Sequence, residues 1–219
     1  MELLLDTDFI IKMGRFSLLG AFEDLMAKHG HPKPYRCLFE VRRHLKSAAA
    51  NPTRSMFGSQ VCWNEVNSFV SDCVSLGDVE DTDVLDELDL ITGVDDGEQL
   101  LVEYAVRSPD TAILTADKNF IDGMALPAAK KYRALLEKRI IHLEHVVFAV
   151  GTHGSDGWPP VRKAVCAVPD CDKALHGLLH DAKKEADAIA DLFGSTKDLN
   201  RRGFGTVPAP ICPPFSSAS

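Results

Sequence analysis

Asp6 and Asp117 each close a short apolar run with a carboxylate, the first in Leu3-Leu4-Leu5-Asp6-Thr7-Asp8 and the second in Ala112-Ile113-Leu114-Thr115-Ala116-Asp117. In an open parallel α/β sheet, ligands bind beyond the carboxyl ends of the strands. Two such strands would therefore deliver two acids to one edge. Each Asp alone also fits a simpler role, capping the helix or turn that follows. A third acid lies in Val94-Asp95-Asp96-Gly97-Glu98-Gln99-Leu100-Leu101-Val102. Glu98, Leu101, Val102 and Ala105 share one helix face at spacings of three and four. That face is apolar and should lie on the sheet, which aims Glu98 inward. Asp95 and Glu98 also fit a capping box, and Asp95 and Asp96 read as caps or outer groups of the site. Clustered carboxylates suit hard divalent cations such as Mg²⁺ or Mn²⁺.

The elements that must position these acids follow from the apolar pattern. Residues 3–5, 112–116 and 139–143 read as strands buried on both faces, as in a parallel sheet. Helical spacing recurs over 16–28, 61–74 and 97–107, and Pro34 suits the first turn of a helix running to about Ala50. The acidic run from Asp78 to Asp89 reads as the solvated face of a helix or loop. Alternation of strands and helices predicts an α/β fold, a three-layer sandwich with a central, mostly parallel sheet. Residues 1–150 form this domain. Residues 151–219 read as an appendage: a Gly/Pro-rich linker over 151–160, one amphipathic helix over 172–193 ended by Gly194, and a mobile tail rich in Pro, Gly and Ser from Gly203.

Taken together, Leu-Leu-Leu-Asp-Thr-Asp at the start, Asp-Asp-Gly-Glu before a helix carrying Tyr104-Ala105, and Ile-Leu-Thr-Ala-Asp-Lys-Asn-Phe resemble the PIN domain family over residues 1–150. The resemblance implies a metal-dependent nuclease, most often a ribonuclease, hydrolysing RNA phosphodiesters with bound Mg or Mn. The family's first, third and fourth acids fall on Asp6, Glu98 and Asp117, with Thr115 as a neighbour. Its second acid, on an early helix, is carried to Glu40 in Cys37-Leu38-Phe39-Glu40-Val41. Arg36, Glu40 and Arg43 would share a helix face, so a surface ion pair is the competing role for Glu40. Asp8 departs from the family's usual Asn or Ser and adds a carboxylate. Lys12, Arg15, Arg36, Arg42, Arg43 and Lys118 are candidates for phosphate contacts. An inhibitory protein of the antitoxin kind and a homo-oligomer are partners that the resemblance leaves open. A PIN-like domain that binds RNA or protein without cutting is the alternative.

Other readings carry less of the sequence. Asp6-Thr7-Asp8 imitates the start of a haloacid dehalogenase-type phosphatase, but Ile10 stands where Thr or Val is expected and no downstream Lys motif follows. Cys166, Cys171, His176 and His180 offer a C-x4-C-x4-H-x3-H set of the kind that binds structural zinc; a hairpin and a helix with two exposed histidines is the plainer reading. The net charge of −8 argues against a protein that holds nucleic acid by basicity alone. No apolar stretch approaches a membrane span, and the N-terminus lacks the features of a signal peptide. A cytoplasmic protein with reduced cysteines is the expectation.

Overall fold

The computed structural model describes residues 1–77, 79–180, 182–202 and 204. Five parallel strands form one sheet in the order β3-β2-β1-β4-β5. They are β1 (Glu2–Leu5), β2 (Arg36–Cys37), β3 (Val74–Ser75), β4 (Thr111–Thr115) and β5 (Ile140–His142). All carboxyl ends therefore lie on one edge. In register, Leu5 stands beside Leu114 and Cys37, and Thr115 beside His142.

Side chains alternate across the sheet and divide the core in two. Leu3, Leu5, Ala112, Leu114 and Ile141 face one cluster, which α1 (Thr7–Arg15), α2 (Leu19–Lys28), α3 (Phe39–Ala48) and α4 (Gln60–Ser71) help to build. Leu4, Ile113 and Ile140 face the other, with α5 (Thr82–Asp89), α6 (Asp96–Arg107), α7 (Lys118–Ala125) and α8 (Lys130–Leu135). Helices on both faces of a buried parallel sheet make the expected three-layer sandwich. In α5 only Val84 and Leu88 are buried, so the acids of this helix lie on a solvated face; Asp78, at the start of the acidic run, lies outside the described residues.

Among the described residues, the C-terminal part is built from helices joined by short turns: α9 (Leu143–His153), α10 (Trp158–Cys166), α11 (Lys173–Leu179) and α12 (Glu185–Arg201). Val161, Val165, Leu175, Leu179, Ala188 and Leu192 join the first core cluster. Among the described residues, no helix is long and apolar enough to cross a membrane.

Several local expectations need correction. Pro34 precedes strand β2, and the helix begins only at Phe39; the chain extends first because Arg36 and Cys37 pair with both β1 and β3. Arg36 is thus not on the helix face of Glu40. Residues 151–160 are no linker, since α9 runs to His153, α10 starts at Trp158, and the Trp158 ring packs edge-on against Phe148. The helix expected over 172–193 is two helices. The Arg162 guanidinium donates to the carbonyls of Leu179, His180 and Lys183 at 3.4, 3.0 and 2.9 Å, which satisfies the chain where helix gives way to turn. Gly194 does not end α12, which continues for two further turns and keeps Thr196 buried. The tail expected to be mobile lies outside the described residues, apart from Phe204, which is buried in the second cluster.

Candidate functional site

Asp6 leaves β1 in extended conformation and starts α1, yet its side chain makes no capping bond. Its backbone N–H instead continues the sheet ladder to Leu114, and its carboxylate accepts a hydrogen bond from Thr115 Oγ1 at 3.0 Å. Thr115 is fully buried at the end of β4 and accepts in turn from the Asp117 N–H at 3.0 Å. Adjacent strand ends thus hold Asp6 in a fixed orientation. Asp117 does act as a cap, accepting from Asn119 N–H at 2.6 Å at the start of α7.

Glu98 comes in from α6 on the other side of the same edge. Asp95 accepts from the Glu98 N–H, and Glu98 accepts from the Asp95 N–H, both at 2.9 Å, a complete capping box. Despite this capping role Glu98 is only 3% exposed. Two glycines let the start of α6 approach its neighbours, Gly93 the start of α7 and Gly97 the start of α3. Gly93 has φ +93°, and a Cβ there would meet Asn119 O at 2.7 Å. At Gly97 a Cβ would meet Leu38 Cδ1 at 3.0 Å and lie 3.9 Å from Glu40 Oε2.

The acids perturb one another. Burial pushes Asp6 up to about 7, the charges of Asp8 and Asp95 push further, and the Thr115 bond pulls back. Burial pushes Glu98 up to about 9, with Asp95, Asp6 and Asp117 adding to the rise although the Asp95 N–H opposes it. Asp8, half-buried, is also raised, first by burial and then by Asp117, Asp95 and Glu40 against the pull of Lys12. Among the described residues, no Lys or Arg forms an ion pair with Asp6, Asp8, Asp95, Glu98 or Asp117. The nearby lysines are engaged elsewhere: Lys12 with Ala116 O at 2.9 Å and Asp172 at 3.3 Å, Lys118 with Glu144 at 3.1 Å. Thr7 Oγ1, next in the chain to Asp6, is buried without a hydrogen-bond partner among the described residues.

Glu40 sits on the first turn of α3 at the rim of this group. Its side chain is 41% exposed and pairs with Arg43 at 2.7 Å and His44 at 3.3 Å. Among the described residues, no three His, Cys, Asp or Glu side chains are placed to hold one ion. The structure brings Asp6, Glu98 and Asp117 to one neighbourhood, then, without closing them around a point.

The basic candidates scatter. Arg36 turns to the opposite edge, where it pairs with Glu2 at 2.7 Å. Arg42 donates to Cys73 O at 2.6 Å, ahead of β3. Arg15 lies against Gly58. Lys12 and Lys118 remain near the acids, and Arg43 near Glu40. The zinc set is not assembled either: Cys166 Sγ donates to Leu179 O at 3.3 Å, and Cys171 is buried against α1, its thiol pushed up to about 11 by burial. His176 and His180 stack edge to face at 5.1 Å.

Sequence reading passed over a second polar group at this edge. His142 ends β5, Glu144 opens α9, and Ser195 of α12 donates to Glu144. His142 closes an apolar run as Asp6 and Asp117 do, a signal that could have singled it out. Comparison with known proteins brought no match: no family model, no curated protein and no solved structure.

Proposed function

We propose that this chain is a metal-dependent endoribonuclease that hydrolyses RNA phosphodiesters at the Asp6, Glu98 and Asp117 carboxylates, with Glu40 joining them. The observation that supports this reading is the burial of Asp6 and Glu98 at one sheet edge, near enough for the Asp6 charge to raise Glu98, with no basic partner among the described residues. Such acids either stay protonated or take up a cation. An all-oxygen donor set suits Mg²⁺ or Mn²⁺, and the unpartnered Thr7 hydroxyl leaves one further oxygen beside Asp6. A bound divalent ion would supply activation of water and neutralisation of charge for in-line displacement at phosphorus.

The chain's own residues do the positioning. Thr115 orients the Asp6 carboxylate from the neighbouring strand, and the capping box with Asp95 holds Glu98 inward. Glu40 would act only after leaving Arg43 and His44. RNA as the substrate, and an antitoxin-like inhibitor as a partner, rest on the PIN resemblance of these residues.

The test is cleavage of a mixed single-stranded RNA pool by the full chain with Mg²⁺ or Mn²⁺, beside Asp6→Asn and an EDTA control. Cleavage that needs the ion and disappears in Asp6→Asn is expected. Full activity after exhaustive chelation would overturn the metal mechanism. RNA binding with no cleavage by the wild type would favour a silent binding module, the reading that fits carboxylates not closed around one point.

A further inference from the structure

A pocket of about 230 Å³ opens at the β5 end of the same sheet edge. His142 lines it and stands in register with Thr115, whose hydroxyl holds Asp6. Neighbouring strands lie about 4.8 Å apart, so the pocket is one strand from Asp117 and two from Asp6. Lys118, next in the chain to Asp117, also lines it.

The lining has a definite chemistry. Glu144 is almost wholly buried, accepting from Lys118 Nζ at 3.1 Å and from the Ser195 hydroxyl. His142 is 1% exposed and accepts at Nδ1 from the Glu144 N–H. Its proton in the neutral ring is therefore on Nε2, and that atom has no hydrogen-bond partner among the described residues. Burial holds this imidazole down at about 4, so it is uncharged at neutral pH. Ile121 and Leu199 supply aliphatic walls. At the rim Arg202 pairs with Asp122 at 2.5 Å. Both cations of the lining are thus engaged by carboxylates, and Asp198 adds a further acid, which disfavours a phosphate. A neutral, flat heterocycle with donors and acceptors matches what remains. The volume lies below the roughly 300–1,000 Å³ of pockets for drug-sized ligands, so a single ring system fits better than a whole nucleotide.

We infer that this pocket receives one unpaired base of the RNA strand whose phosphodiester lies at the Asp6, Glu98 and Asp117 acids, and that it sets the base preference of cleavage. Sequence-specific recognition of RNA works largely on splayed, single-stranded bases. The inference rests on the nuclease reading, and its test separates the two. The full chain is titrated with adenosine, guanosine, cytidine and uridine, following the backbone amides of Lys118, Glu144 and Ser195 by NMR. In parallel, cleavage sites are mapped on a randomised RNA pool.

One nucleoside should shift these amides saturably. Ser195→Ala should weaken it about fivefold, as expected for one lost hydrogen bond. Leu199→Phe, which narrows the pocket from its aliphatic wall, should also weaken it. Cleavage should show a preferred base at one fixed position, and Ser195→Ala should lower the rate there toward that of the other bases. RNA cleavage with no base preference and no saturable nucleoside shift overturns the inference and leaves the nuclease reading intact. Saturable nucleoside binding without any RNA cleavage supports base recognition and overturns the nuclease reading instead.

Discussion

Asp6 and Glu98 hold charge poorly unless a cation compensates them, and this gives the protein a pH dependence of definite sign. Their folded-state values, about 7 and about 9, lie above the ordinary 3.8 and 4.5. The native state therefore binds the extra protons, and stability falls as pH rises through those windows. In EDTA the thermal midpoint should drop between pH 5 and pH 9, and Asp6→Asn should be the more stable protein at pH 8. Each pKa unit is worth about 1.4 kcal/mol, so the gain should be a few kcal/mol at most. A midpoint that climbs across the window would contradict the uncompensated burial. Mn²⁺ added at pH 7 should release protons, visible in calorimetry as a heat that changes with the buffer's ionisation enthalpy. Glu40 tests a different point. Its exposed pairs with Arg43 and His44 are worth under about 1 kcal/mol, so Glu40→Gln should barely move the melting temperature. Cleavage should nonetheless fall about as far as in Asp6→Asn; unchanged cleavage would return Glu40 to a surface role.

The elements that carry Glu98 and Asp117 are set against each other by glycine. The backbone at Gly93 and Gly123 is close enough that a Cβ at either would sit within 2.8 Å of the facing carbonyl oxygen. Gly93 also needs its positive φ, which costs other residues about 1–3 kcal/mol. Gly93→Ala should therefore destabilise by about that amount and push the start of α6 away from α7. Mn²⁺ affinity should fall with it, since Glu98 moves with the helix. If calorimetry shows unchanged affinity in this variant, the approach at Gly93 is not what places Glu98.

At the scale of the molecule, α10 to α12 complete the core that α1, α2 and α9 begin. Phe193 stacks on Phe148 at 5.5 Å, and Asp172 pairs with Lys12 of α1 at 3.3 Å. Leu192 is fully buried, so Leu192→Ala should cost about 2–5 kcal/mol in denaturant unfolding. A chain ending after Gly154 should uncover Val147, Phe148 and their neighbours, melt at lower temperature and aggregate. An unchanged midpoint for the shortened chain would mean that these helices are an independent appendage.

What the sequence determined by itself is the local pattern. The apolar runs expected at 3–5, 112–116 and 139–143 hold the strands Glu2–Leu5, Thr111–Thr115 and Ile140–His142, because a doubly covered parallel sheet buries them on both faces, and the capping box at Asp95 and Glu98 is written in four consecutive residues. Tertiary structure alone decided the rest. Strands β2 and β3 have two residues each, too few for any periodicity, and exist because neighbours pair with them. Pro34 carried a helix-start signal that strand pairing overrode. The break after α11 depends on Arg162, a donor from another helix. Asp6 and Asp117 looked equivalent in sequence, each an acid after a strand, yet only Asp117 caps its helix. Asp6 is turned instead to Thr115, because the hydroxyl that claims it stands on the neighbouring strand, 109 positions away in the chain.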